Sequence, residues 1–223
     1  MALEDGRGQR ALGPHGFTVA LLKRDMSGFG AFPASAVWSP AGRHANAKGR
    51  MVLCGEGEAM TGVDVGDRTL WRAPGGGVLY RTPAMADGVV YVLDRFFGLV
   101  AVDADSGQRR WTLRDDSGIA SSPVAGTGVV YFADNAGCLT AVDAATGDVR
   151  WKWRPRWSKM SMPTVADGSV YVGNDEGLVA MDAATGEERW RLETRGEVCS
   201  TPVVADGIVY VGSRDEFLYA IHT

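Results

Sequence analysis

The chain has 223 residues, 45% of them hydrophobic and 22% charged, with 30 Gly, 9 Pro and 3 Cys. That hydrophobic share excludes a disordered chain, and no apolar run approaches the ~20 residues of a membrane-spanning helix. A net charge of −4 offers no bulk attraction for nucleic acid, although residues 1–50 carry seven Lys/Arg against three Asp/Glu while residues 51–223 carry sixteen against twenty-four.

Residues 1–35 read as an irregular N-terminal segment. The opening Met-Ala-Leu-Glu-Asp-Gly-Arg has no basic-then-apolar start and no small-residue cleavage site. No export signal is therefore readable, and a cytoplasmic protein is expected unless the chain is part of an exported or membrane-anchored one. The one apolar run here, residues 17–22, is a candidate strand. Arg43 to Arg50 is longer than the later turns at its place and reads as a basic exposed loop. Cys54, Cys138 and Cys199 stand far apart without a Cys/His cluster. They read as small buried hydrophobes, and no metal site is expected.

From about residue 36 the chain repeats itself. Pro83, Pro123, Pro163 and Pro202 are spaced 40, 40 and 39 residues apart, and Tyr91, Tyr131, Tyr171 and Tyr210 follow the same intervals. Trp71, Trp111, Trp151 and Trp190 are spaced 40, 40 and 39 apart, and Asp64, Asp103, Asp143 and Asp182 keep a parallel register. Each unit opens on Pro and runs through an apolar stretch, Asp-Gly, a second stretch such as Val89-Val90-Tyr91-Val92, and Leu-x-Ala-x-Asp to a terminal Trp. Short β-branched and aromatic runs bounded by Gly, Asn and Asp are strand signals. The Asp-Gly pairs at 87–88, 167–168 and 206–207 suit hairpin turns with φ > 0, and Gly147 and Gly186 suit a left-handed turn. The unit is four antiparallel strands, A to D, in about 40 residues, the size of one propeller blade.

So small a sheet must stack on its neighbours. The Trp ending strand D offers a flat surface for that stacking, and the Asp before it can hold the C–D turn through backbone N–H groups. Recurring in every unit, these Trp and Asp residues read as structural.

The run Ala-x-Asp-x-x-x-Gly-x-x-x-Trp stands as Ala101, Asp103, Gly107, Trp111, then Ala141, Asp143, Gly147, Trp151, then Ala180, Asp182, Gly186, Trp190. It resembles the pyrroloquinoline-quinone (PQQ)-like propeller repeat with its tryptophan-docking motif. The first unit, with Gly62, Asp64 and Trp71, is degenerate. The resemblance covers residues 36–223 and implies an all-β propeller of about five four-stranded blades. Quinoprotein dehydrogenases, the barrel-assembly lipoprotein and propellers attached to bacterial serine/threonine kinases share this repeat. The quinoproteins carry adjacent cysteines, which are absent here, so the resemblance implies a propeller with no quinone or other cofactor.

Four units are complete and a fifth stops at Thr223, before its strand D. The apolar run at 17–22 is expected to supply that strand and close the ring; an open arc, completed by another copy in a homo-oligomer, is the rival arrangement.

No catalytic constellation is readable: there is no G-x-S-x-G and no phosphate-binding glycine loop, and no enzyme is expected. Propeller function sits on the face formed by the variable D–A loops and B–C turns. The candidate binding residues there are Arg154, Arg156 and Trp157, with Asp94, Arg95, Phe96, Asn135, Asn174, Asp175, Arg214 and Asp215. The Arg154–Trp157 group breaks the repeat and places an aromatic among charges, a composition favoured at binding hot spots. The expected partner is a protein or peptide, with a small-molecule ligand as the alternative, in a non-catalytic scaffold; the resemblance leaves as alternatives a ligand-sensing module like those attached to bacterial kinases and, last, a quinoprotein dehydrogenase remnant.

Overall fold

The computed structural model describes residues 11–12, 18–23, 43–45, 50–54, 59–64, 69–74, 82–94, 98–114, 118, 121–155 and 160–223. Every element among them is a β-strand. The N-terminal strands are β1 (Ala11–Leu12) and β2 (Thr18–Lys23). The first blade contains β3 (Arg43–Ala45), β4 (Arg50–Cys54), β5 (Ala59–Asp64) and β6 (Thr69–Pro74). The second contains β7 (Ala84–Ala86), β8 (Val89–Asp94), β9 (Gly98–Asp103) and β10 (Arg109–Leu113). The third contains β11 (Val124–Ala125), β12 (Val129–Ala133), β13 (Leu139–Asp143) and β14 (Val149–Trp153). The fourth contains β15 (Thr164–Ala166), β16 (Ser169–Gly173), β17 (Gly177–Asp182) and β18 (Glu188–Glu193). The fifth brings β19 (Val203–Ala205), β20 (Ile208–Gly212) and β21 (Phe217–His222).

Two compact units result. Ser35–Pro155 holds the first three blades, each a four-stranded antiparallel sheet. Met1–Ala34 with Arg156–Thr223 holds the fourth blade and a sheet ordered β1-β2-β21-β20-β19. The N-terminal run thus takes the strand D place of the fifth blade, with Val19 opposite Ile221 and Leu21 opposite Tyr219. It removes the bare edge that β21 would otherwise expose. One feature differs from a four-stranded expectation. β1 adds a fifth strand outside β2, pairing Ala11 with Val19 and Leu12 with Thr18.

The turns follow from local chemistry. Asp87 and Gly88 have φ of 48° and 74°, Asp167 and Gly168 49° and 70°, and Asp206 and Gly207 52° and 71°. Two successive positive φ values match the right-handed twist of the hairpin strands, and Asp and Gly tolerate them best.

Two sequence expectations need correction. Arg43 to Arg50 is not all loop: Arg43, His44 and Ala45 form β3 and pair with Leu53, Val52 and Met51, while Arg50 starts β4. Backbone pairing takes up both flanks of the run. Cys138 is buried, but Cys199, in the connection entering the fifth blade, is exposed; the side chain of Cys54 lies outside the described residues.

Candidate functional site

The blade-stacking apparatus is one cross-strand row per sheet. In the second blade Ala84, Tyr91, Ala101 and Trp111 lie opposite one another on strands A to D. The third blade repeats the row as Val124, Tyr131, Ala141 and Trp151, and the fourth as Thr164, Tyr171, Ala180 and Trp190. Opposite residues share a sheet face. The strand-C alanines are fully buried, and across them the Tyr and Trp rings meet at 5.8, 5.8 and 5.9 Å, tilted by 39°, 49° and 49°. A larger side chain than alanine would separate the two rings, which explains why this position repeats as Ala.

The indole then reaches the next blade. Trp71 Nε1 donates to the Ala104 carbonyl at 2.9 Å, and Trp111 Nε1 to the Ala144 carbonyl at 3.0 Å. The ring lies on the C–D glycine of that blade. A Cβ on Gly107 would stand 2.6 Å from Cδ2 and Cε3 of Trp71, and one on Gly147 2.8 Å from Cδ2 of Trp111. With φ of 72° and 82°, each glycine is required twice, by conformation and by the indole against it. Trp190 is buried in one core with Val198, Val209, Val211 and Ile221.

The C–D aspartates hold the turn that receives the indole. Asp103 Oδ1 accepts from the N–H groups of Asp105 and Ser106 at 3.1 and 2.9 Å and from the Ser106 hydroxyl at 2.8 Å. Asp143 Oδ1 accepts from Ala145 and Thr146, and Asp182 Oδ1 from Ala184 and Thr185. The other carboxylate oxygen takes an arginine seven residues on: Arg110 at 2.6 Å, Arg150 at 2.7 Å, Arg189 at 2.6 Å. Led by these arginine hydrogen bonds, each carboxyl is held down to about 2. Asp64 ends β5, and its side chain lies outside the described residues.

Sequence reasoning missed the arginines, although Arg110, Arg150 and Arg189 keep the repeat spacing. It also missed Ser121, Ser161 and Ser200, each two residues before the blade-opening proline. Their hydroxyls accept from the N–H groups of Ala133, Gly173 and Gly212 at 2.9, 2.9 and 3.0 Å, clipping the entry of strand A to the end of strand B. Spacing was the signal in both cases.

The D–A loops and B–C turns do come together. Asn135 N–H donates to the Gly118 carbonyl at 2.8 Å, Thr194 N–H to Glu176 at 2.9 Å, and Arg214 N–H to Glu197 at 2.9 Å. Arg195 N–H donates to Asp215 Oδ2 at 3.0 Å. Asp215 also accepts from the Tyr219 hydroxyl at 2.7 Å and the Phe217 N–H at 3.1 Å. Burial works against the Asp215 charge, yet these hydrogen bonds outweigh it and hold the carboxyl below its usual range. Burial, then the same carboxylate, push the Tyr219 hydroxyl up.

The expected binding residues fall unevenly on this surface. Arg154, Asn135 and Arg214 are exposed, with the Arg214 guanidinium ion-paired to Glu197, and Asp175 is half-buried. Asn174 does not present itself: it is buried, and its Oδ1 accepts from the N–H groups of Glu176 and Gly177 at 2.8 and 2.9 Å. Asp215 is likewise engaged in its own turn. Asp94 ends β8, its backbone opposite Gly98. Arg95, Phe96, Arg156 and Trp157 lie outside the described residues.

Small antiparallel sheets of one repeat, the first two of them locked to the next by an indole on a glycine turn, define a β-propeller of PQQ-like repeats. The chain belongs to the family described as outer membrane protein assembly factor BamB, whose model matches residues 55–158 and 152–223. No curated protein sequence matches it. Among solved structures it is similar to BamB from Moraxella catarrhalis, at 22% identity and a TM-score of 0.70, over 79% of this chain and 56% of that one. It is similar to the computationally designed Ika8 protein at 15% identity and 0.68, over 81% and 57%. It is also similar to the quinohemoprotein alcohol dehydrogenase from Comamonas testosteroni, at 18% identity and 0.60, over 77% and 39%. At such identities the likeness is one of fold, and the chain spans little more than half of the longest-matched of these relatives.

Proposed function

We propose that the chain is a non-catalytic scaffold that binds a protein or peptide on the face of the D–A loops and B–C turns. The observation that carries this reading is the stitching of loop to turn within each compact unit: one backbone-donated hydrogen bond does so in Ser35–Pro155, where Asn135 and Arg154 stay exposed, and three do so in the other, where Arg214 stays exposed. Loops held in this way, carrying adaptable polar and cationic groups, lose little entropy on binding. The family description as an assembly factor supports a protein partner, in keeping with an acidic chain that displays local arginines.

The test is calorimetric titration of a candidate barrel-assembly protein into the chain. Arg154→Ala, Arg214→Ala and Trp157→Ala should each weaken binding about five- to thirtyfold, at ~1–2 kcal/mol for an interface anchor. Unchanged affinity in all three rejects the face. An absorbance titration with quinone and calcium tests the dehydrogenase alternative, which a saturable spectral shift would establish.

A further inference from the structure

The outer edges of the blades differ in how they are guarded. Strand D is the last strand of its sheet, so β10, β14 and β18 each pair on one side only among the described residues. An unpaired ladder invites another strand, and charged side chains are the usual guard against it. β18 carries both signs, with Glu188 holding Arg191 and Asp182 holding Arg189. β10 opens with Arg109 and Arg110, the second held by Asp103. β14 is different. From residue 149 to 155 the chain reads Val-Arg-Trp-Lys-Trp-Arg-Pro, three cations and no acid. Arg150 is held by Asp143, whereas exposed Lys152 and Arg154 have no ion-pair partner among the described residues.

The start of β14 is apolar as well. The residue ahead of the β-bulge is Arg109 in β10 and Glu188 in β18, but Val149 in β14, where it is 41% exposed. Val149 and Lys152 stand opposite Val142 and Thr140 and so share a sheet face. That face packs on the second blade through Val130, Phe132 and Val142, inside one compact unit. The fifth sheet shows that such an edge takes a strand: β2 holds the strand D place there, and β1 pairs antiparallel along its outer side. On β14 a second copy of the same edge would set cation against cation, which is unfavourable across a ladder. An acidic strand meets no such cost, and its carboxylates match Lys152. We infer that the outer edge of β14 takes up an extended acidic segment of a partner protein as a further strand, with an apolar side chain against Val149 and a carboxylate against Lys152.

Fluorescence anisotropy of a labelled peptide of about eight alternating Glu and Val residues, titrated with the full chain, tests it. Binding should saturate, weaken as salt rises, and slow amide exchange within residues 149–153. The same peptide, fully N-methylated, keeps its charge but loses its ladder donors and should not bind. Lys152→Glu should weaken binding of the acidic peptide about three- to tenfold, and Lys152→Gln less. Both variants should keep the parent melting temperature, because Lys152 is exposed. Arg214→Ala, on the loop face, should leave the peptide's affinity unchanged, which separates this edge from that face. No saturable binding, equal binding of the N-methylated peptide, equal affinity in Lys152→Glu, or loss of binding in Arg214→Ala would each overturn the proposal.

Discussion

Two glycines of similar backbone conformation carry very different burdens. Gly88 and Gly107 have φ of 74° and 72°. Nothing lies within 4 Å of a Cβ placed on Gly88, while one on Gly107 would run into the Trp71 indole. Gly88→Ala should cost only the left-handed penalty, about 1 kcal/mol. Gly107→Ala adds overpacking and should cost about 2–4 kcal/mol in all. Thermal or urea unfolding of the two variants measures the difference, and equal losses would refute docking of the indole on the turn. The requirement for φ > 0 at the hairpin Asp-Gly pairs was readable from residue type. The second requirement, at Gly107, was not, since it depends on an indole 36 positions earlier in the chain.

At the scale of strands, spacing carried most of the information. Periodic Pro, Tyr, Asp and Trp placed the strands of each blade, and the only apolar run near the N-terminus pointed to β2. What could not be read was the register in which β2 enters. That register sets Ala20 opposite Ala220; that the strand brings no indole was already readable, since residues 17–22 contain no Trp. β1 escaped notice because two residues, Ala11 and Leu12, are too few to make a pattern. Successive amides of a strand point to opposite sides, so either Ala20→Pro or Leu21→Pro must remove a donor facing β21. The loss of one ladder bond costs about 1–3 kcal/mol, and amide exchange across Leu218–Ile221 should quicken about ten- to a hundredfold in that variant. Unaltered protection in both variants would show that β2 does not hold β21.

For the molecule as a whole, repetition turns one local device into a bulk property. Three Asp–Arg pairs of the same geometry recur in three blades. Each carboxyl titrates at about 2 in the folded chain, against roughly 3.9 when unfolded. A depressed folded-state value stabilises above the unfolded one, and that stabilisation fades as pH falls through about 2. Stability should therefore drop between about pH 4 and pH 2. Replacing Asp103, Asp143 and Asp182 together by Asn should flatten that slope, and added salt should weaken it because the pairs are partly open to water. Urea midpoints across that range measure it. The same repetition limited the reading of function. A residue that recurs can be assigned a structural role from sequence alone, as the Trp and Asp series were. The loop residues do not recur, and only geometry separates Asn174, which closes its own turn, from exposed Asn135.

Because β2 and β21 lie nearly two hundred positions apart and share one sheet, that sheet is out of reach for most of the chain's synthesis. While a ribosome is still delivering the middle blades, the edge of β2 that meets β21 must stay unmatched, and the final sheet comes together only after residues 217–222 emerge. Closure of so long a span slows the last step of folding more than any other. A chaperone that shields a short apolar strand during translation would thus have its greatest effect on residues 18–23.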